Sequence, residues 1–265
     1  MILAQITDTH VLAAGRKLFG RVDTAACLER AVAHLNSLRP RPDIVLVTGD
    51  LVDDGSLAAY RNLQRILSAL ERPCSLLPGN HDDRANLRAV FSHLPELSRN
   101  GEFLHYVIEG LPVHIVALDT VIPGEVGGTL CRERLDWLSA RLGERPDQPT
   151  LIAMHHPPFV TGIDEMDSIN CANSAALGAI VRRHPQVERI VCGHIHRPIC
   201  VRWNGTVVTA APSTAHQVAL NLASGAPVAW VAEPPACHLH VWQGESGLVT
   251  HLSYIDDHGS PQPFH

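Results

Sequence analysis

The stretch Ile44-Val45-Leu46-Val47-Thr48-Gly49-Asp50 is a short, wholly apolar run closed by a polar turn, and the residues after that turn decide the fold class. Ser56 opens a segment in which Leu57, Tyr60, Leu63, Ile66, Leu67 and Leu70 recur at three- and four-residue spacing, the mark of a helix with one buried face. A second apolar run, Cys74 to Leu77, then ends on Pro78-Gly79-Asn80-His81. Strand, helix and strand in succession point to α/β layering. Upstream, residues 2–6 read as a strand, and Asp23 or Thr24 can cap a helix whose face is Ala25, Leu28, Ala31, Val32 and Leu35. The run Arg39-Pro40-Arg41-Pro42 stops that helix.

Downstream the alternation continues. A third helix is expected from near Asp83, a hairpin over residues 103–118 turning at Gly110-Leu111-Pro112, and a helix from Arg132 to Leu142. Leu151 to Ala153 and Arg189 to Cys192 read as strands, with a helix across Asn173 to Arg183 between them. Beyond Gly193 the pattern changes to short strands, including Ile199 to Trp203, an Asn204-Gly205 turn and Thr206 to Thr209, so the last third is β-rich. No repeat or low-complexity tract interrupts the series.

Five of the expected strands end in polar clusters: Asp8/His10, Gly49/Asp50, Asn80/His81, His155/His156 and His194/His196. In an open α/β sheet ligands bind beyond the carboxyl ends of the strands, so clusters far apart in sequence can meet at one place. Singly they say little. Gly49-Asp50 is as consistent with a strand end or a cap as with a ligand, and Asp82 or Asp83 can cap the helix that comes after Asn80-His81. Asp119 also ends a strand, but without a neighbouring histidine it reads as a cap or turn residue. His155-His156-Pro157-Pro158 follows an apolar strand and suits ligation by one of its histidines. In Gly193-His194-Ile195-His196, alternate residues of an extended segment share a face, which can turn two imidazoles toward one metal pair.

Composition agrees with that chemistry. The chain has 265 residues, 45% hydrophobic and 18% charged, with a formal net charge of -6 and a sequence pI near 6.3. Such a balance fits one globular domain with an appendage and argues against a basic surface that follows a nucleic-acid backbone. Met1 runs straight into Ile2-Leu3-Ala4-Gln5-Ile6 with no basic leader, and no apolar run is long enough to span a bilayer, so a cytoplasmic protein is expected. Seven scattered cysteines, none spaced as C-x-x-C, read as reduced thiols. Histidine is over-represented, with 17 against three tyrosines and five phenylalanines. Carboxylate and amide oxygens with four imidazoles, and no thiolate, make a mixed ligand set suited to two divalent ions drawn from Fe, Mn, Zn or Co. A carboxylate such as Asp50 can bridge two ions about 3.5–4 Å apart and so place a hydroxide for in-line attack on phosphorus.

The order Asp8-x-His10, Gly49-Asp50, Gly79-Asn80-His81-Asp82, His155, Gly193-His194-x-His196 resembles the calcineurin-like metallophosphoesterase superfamily. Lys17-Leu18-Phe19-Gly20, Met154-His155-His156-Pro157-Pro158 and His216-Gln217 extend the likeness to the class III cyclic nucleotide phosphodiesterases and the related bacterial glycerophosphodiesterases. It runs from residue 2 to about 217. The resemblance implies a four-layer α/β/β/α sandwich with a β-rich C-terminal extension, divided as a catalytic domain over 1–215 and a capping or dimer-contact segment over 216–265. It implies one metal on Asp8, His10, Asp50 and His196 and another on Asp50, Asn80, His155 and His194, with Asp50 the bridge. His81 would stabilise the substrate phosphate or protonate its leaving oxygen, and His216 would be a second substrate-facing histidine; a capped surface histidine is the alternative for the latter. The implied activity is hydrolysis of small phosphodiesters, cyclic nucleotides or glycerophosphodiesters, by a homo-oligomer of at least two chains, with no stable nucleic-acid or membrane partner.

Other readings remain at this level. A phosphomonoesterase or a nuclease can use the same ligands, although a nuclease needs a basic, aromatic-lined groove that this acidic chain lacks the composition to build. A non-catalytic metal-binding scaffold would be expected to have lost ligands, and none is lost. A zinc-dependent amide hydrolase also uses histidines and aspartates, but Gly79-Asn80-His81 and Gly193-His194-x-His196 favour phosphoester chemistry.

Overall fold

A computed structural model describes residues 1–97, 101–257, 259 and 262–264. In the first half, strands β1 (Ile2–Ile6), β2 (Ile44–Thr48) and β3 (Cys74–Leu77) alternate with helices α1 (Thr24–Ser37), α2 (Leu57–Leu67) and α3 (Arg84–Val90). The three helices start on side-chain caps. Asp23 accepts the amide of Ala26 at 3.0 Å, Ser56 that of Ala59 at 3.2 Å and Asp83 that of Asn86 at 2.8 Å, so Asp23 rather than Thr24 is the cap of α1.

A hairpin of β4 (Tyr106–Ile108) and β5 (His114–Leu118) comes next, then β6 (Gly128–Thr129), α4 (Arg132–Gly143) and β7 (Thr150–Met154). After these come the single turn α5 (Asp164–Asp167), β8 (Cys171–Ala172), α6 (Ser174–Val181), β9 (Val187–Cys192), β10 (Ile199–Trp203) and β11 (Thr206–Ala210). The chain ends through β12 (Gln217–Val218), β13 (Trp230–Val231), β14 (Ala236–Trp242) and β15 (Leu248–Tyr254).

Two sheets organise these elements. The first has the order β15-β14-β1-β2-β3, with β1, β2 and β3 parallel and β14 antiparallel to both of its neighbours. The second has the order β10-β11-β9-β7-β5-β4, with a parallel centre and antiparallel edges. The central strands are buried on both faces, which is why they read as unbroken apolar runs. Their period-two alternation sorts residues between layers. In β2, Ile44 and Leu46 point into the core between the sheets while Val45 and Val47 join the core under α1 and α2. In β7, Leu151 and Ala153 face the inter-sheet core and Ile152 and Met154 face α4 and α6. Three apolar cores therefore separate four layers, and the molecule is an α/β/β/α sandwich. Among the described residues no helix is long and apolar enough to cross a membrane.

Candidate metal centre

The parallel strands β1, β2, β3, β7 and β9 end on one rim, and the loops that leave them converge on a cavity of about 510 Å³. Asp8, His10, Asp50 and His196 meet there with their donor atoms within 4.8 Å of one another, all buried. His10 Nε2 lies 3.2 Å from His196 Nε2 and 3.6 Å from Asp50 Oδ2, and His196 Nε2 lies 3.3 Å from Asp8 Oδ1. The far ring nitrogens are engaged elsewhere. His196 Nδ1 donates to the His216 carbonyl at 2.9 Å and His10 Nδ1 to Asp53 Oδ1 at 3.1 Å. An acceptor behind each ring places the proton on Nδ1 and leaves two Nε2 lone pairs facing each other, an arrangement that a cation between them satisfies.

A second group shares Asp50. Its Oδ1 is 3.4 Å from His155 Nε2, while Asn80 Oδ1 lies 3.2 Å from both His155 Nε2 and His194 Nδ1. His155 Nδ1 donates to the Thr48 carbonyl at 2.8 Å, which again turns an Nε2 lone pair inward. His194 Nε2 is buried with no hydrogen-bond partner among the described residues. Asp50 thus presents one carboxylate oxygen to each group, and the seven residues offer nitrogen and oxygen donors in two sets that fit two divalent ions. His156 adjoins this group, but its nitrogens are taken by Thr120 Oγ1 at 2.7 Å and the Val126 carbonyl at 3.3 Å. Of the pair, His155 is the ring with a nitrogen turned toward Asp50 and Asn80.

Charge is distributed unevenly across the cluster by burial and by neighbouring charges. Burial opposes ionisation of Asp50, yet the imidazoles of His155 and His81 hold its carboxyl well below the usual range. Burial would lower His155, but the Asp50 carboxylate lifts it to about 9. His194 is pushed down to about 3 by burial and by His155 beside it. One imidazole gains a proton at its neighbour's expense, since two buried positive rings side by side repel each other.

Backbone strain marks the same residues. Of the eight described non-glycine residues in the left-handed region, five are Asp8, His10, Asp50, His194 and His196, with φ between 42° and 70°. The loops also approach too closely for side chains at their glycines. A Cβ on Gly79 would overlap the Asp50 amide and carboxylate and stand 2.8 Å from His155 Cε1.

Both expected substrate-facing histidines line the cavity. His81 Nδ1 donates to the Asp53 carbonyl at 2.7 Å, so Nε2 is its free nitrogen, and the ring lies 4.7 Å from that of His10. His216 is 7% exposed, 4.7 Å from the His196 ring and 5.4 Å from the His10 ring, which excludes the surface-histidine alternative. Burial, with His196 and His10 beside it, pushes His216 down to about 3, so it is neutral at pH 7. Phe19 and Trp230 stack at 5.4 Å beside His216.

Several contributors have roles that the sequence did not distinguish. Asp82 is a buried hub, accepting the amides of Leu51 at 3.0 Å and Gly79 at 2.8 Å and the Tyr60 hydroxyl at 2.8 Å, while Asp83 caps α3. Asp53 orients His10 and His81 together. Asp119, read as a turn or cap residue, is fully buried and binds Arg84 in bidentate fashion at 2.7 and 2.9 Å. Arg197 is likewise engaged, by Glu233 at 2.9 Å.

Comparison with known proteins places this geometry. The chain is 38% identical over 266 residues to the probable glycerophosphodiester phosphodiesterase GpdQ of Arcobacter nitrofigilis, covering 100% of this chain and 97% of that one. It is 33% identical to the 3',5'-cyclic adenosine monophosphate phosphodiesterase CpdA of Escherichia coli K12, over 81% of this chain and 76% of the relative. A dimetal phosphatase from Danio rerio shares the fold at a TM-score of 0.67 and 15% identity, with 97% and 99% of the two chains covered. The family model for calcineurin-like phosphoesterases matches residues 1–198, which span the cluster from Asp8 to His196, and the chain belongs to that family.

Proposed function

We propose that the chain is a dinuclear-metal-dependent phosphodiesterase that hydrolyses small diesters of the cyclic nucleotide or glycerophosphodiester kind. The observation that carries this reading is the division of seven donors, six of them buried and Asn80 half-buried, into two sets sharing Asp50, with imidazole lone pairs turned inward. Asp8, His10, Asp50 and His196 would hold one ion and Asp50, Asn80, His155 and His194 the other; Fe, Mn, Zn and Co suit such donors. When bound, the pair supplies Lewis acidity and a nucleophilic water at neutral pH.

The remaining steps fall to the chain's own residues. His81, raised above its ordinary value by Asp50 despite its burial, can carry a proton on Nε2 and give it to the leaving oxygen. Neutral His216 can hydrogen-bond a non-bridging oxygen. His216 and Trp230 both come from beyond residue 215, which supports a capping role for that part of the C-terminal segment. The names of the relatives agree with diester chemistry.

Preference for a diester over a monoester rests on the cations. A monoester dianion is commonly clamped by arginine, and the two arginines beside the motifs, Arg84 and Arg197, are held by Asp119 and Glu233. Arg16 and Lys17 line the cavity on an exposed loop, and Arg16 is paired with Asp54 at 3.7 Å. The expected result is a higher kcat/KM for bis(p-nitrophenyl) phosphate than for p-nitrophenyl phosphate under identical Mn²⁺ loading at neutral pH. A clear monoester preference would overturn the diesterase reading while leaving the metal centre intact.

A further inference from the structure

A file of polar side chains crosses the apolar core between the two sheets and ends beneath the metal centre. Arg189 Nη1 donates to Thr250 Oγ1 at 2.7 Å, Thr250 Oγ1 lies 2.8 Å from His240 Nδ1, and His240 Nε2 lies 3.0 Å from Gln5 Oε1. Gln5 Nε2 then donates to Thr48 Oγ1 at 2.9 Å and to the Cys192 carbonyl at 3.0 Å. Gln5, Thr48 and His240 are fully buried.

With His240 neutral, one proton arrangement satisfies every link. A guanidinium can only donate, so Thr250 accepts from Arg189 and gives its own proton to His240 Nδ1. His240 is then the Nε2–H tautomer and donates to Gln5 Oε1. The Gln5 amide is fixed with its NH₂ toward Thr48 and Cys192, and the Cys192 carbonyl, which can only accept, agrees. Burial, with His238 and Arg189 nearby, disfavours the charged form of His240 and so selects this arrangement.

The position of Gln5 gives the file a consequence for the site. The candidate ligands come from both sheets: Asp8, His10, Asp50 and Asn80 follow strands of the first, and His155, His194 and His196 follow strands of the second. Apolar packing between sheets is non-directional and does not by itself fix their separation to fractions of an ångström. Thr48 lies two residues before Asp50, and its carbonyl receives His155 Nδ1. Cys192 lies two residues before His194. We propose that Gln5, oriented by His240 of the C-terminal hairpin, is a positioning residue that locks the two sheets together directly under the dinuclear centre and sets the spacing of its ligands. The inference rests on reading the cluster as a metal centre.

Calorimetric titration of chelator-stripped protein with Mn²⁺, the absorption spectrum of the Co²⁺ form and the melting temperature together test it. Gln5→Leu and His240→Leu should each weaken binding of at least one ion, by roughly tenfold, and shift the Co²⁺ bands. His240→Gln, which keeps a donor for Gln5 and an acceptor for Thr250, should restore most of the affinity. Leu142→Ala, in the outer core under α4, should lower the melting temperature and leave both affinities unchanged. If Gln5→Leu does not fold, the contrast between His240→Leu and His240→Gln decides. Affinities and spectra like those of the wild type, with melting lowered as in Leu142→Ala, would overturn the positioning role and leave the metal centre standing. A wild-type protein that takes up no metal would overturn both, before any variant is made.

Discussion

Gly79→Ala adds a single methyl group at a crowded point of the metal centre, and the structure sets how far the site must move. Gly79 has no positive φ, so the substitution meets no backbone penalty of that kind and its effect is steric. Its Cβ would stand 2.8 Å from His155 Cε1 and overlap both the amide and the carboxylate of Asp50. Relaxed carbon contacts begin at about 3.5 Å, so His155 must retreat by roughly 0.7 Å and Asp50 by more. Metal–ligand distances tolerate only about 0.2 Å, and both residues belong to the set around Asn80, with Asp50 also in the other. Displacements near 1 Å cost on the order of 10²-fold in rate even when no reacting group is removed. We therefore expect Gly79→Ala to fold, to retain less than one equivalent of tightly held metal, and to lose about 10²-fold or more in kcat/KM. Gly143→Ala, in α4 with nothing within 4 Å of the added carbon, is the control and should be neutral or stabilising by about 0.5–1 kcal/mol. Elemental analysis and kinetics on the two proteins suffice. Two metals and unimpaired activity in Gly79→Ala would refute the argument that close approach of β3 to Asp50 and His155 defines the site.

The same geometry sets other outcomes. A chelator should abolish activity and Mn²⁺, Co²⁺ or Zn²⁺ restore it, and Asp50→Ala, which removes the shared carboxylate, should not retain two metals by elemental analysis. His81→Ala should keep both metals and lower kcat by roughly 10²–10⁴-fold, with a smaller loss for p-nitrophenyl than for alkyl leaving groups; equal losses would assign it charge stabilisation instead of proton transfer. His238, buried and close to Arg189, is held at about 4 against an ordinary 6.5, so the unfolded chain takes up its proton first as pH falls. Its contribution to stability is complete above pH 6.5 and is lost toward pH 4, by up to about 3 kcal/mol, so His238→Gln should melt with a flatter pH dependence over that interval. Identical slopes for variant and wild type would exclude the assignment.

Much of this architecture was legible because the central strands are buried on both faces and announce themselves as apolar runs, while each ligand pair follows such a run as an abrupt polar interruption. The helix starts were equally local: Asp23, Ser56 and Asp83 cap within three residues of themselves. What stayed hidden depends on chain segments far apart. Nothing around Asp82 distinguishes a cap from a hub, since its partners Leu51 and Tyr60 are brought to it by tertiary packing. Gln5 looks like a polar lapse within a strand until His240 arrives beside it from a separation of 235 residues. Trp230 and its two-residue strand gave no periodic signal, because a pairing this short has no room for one.

The left-handed backbone at five candidate ligands raises the question of what holds it. Each such conformation costs roughly 1–2 kcal/mol, so together they approach the net stability of an ordinary domain. The loops compensate by binding one another. The amide of Asp8 donates to the Gly49 carbonyl at 3.0 Å and that of His10 to the Asp50 carbonyl at 2.9 Å. The His194 amide donates to the Asp8 carboxylate at 3.0 Å, and the His81 amide to Asp50 Oδ1 at 2.9 Å. Asp82 gathers the amides of Leu51 and Gly79 from behind. Every loop that carries a ligand is therefore fixed by a loop that carries another, and the strained geometry is closed by protein–protein bonds that need no ion. In a small zinc module the binding energy of the metal is the folding energy. Here three apolar cores and this ring of loops hold the candidate ligands together through the chain's own packing and hydrogen bonds.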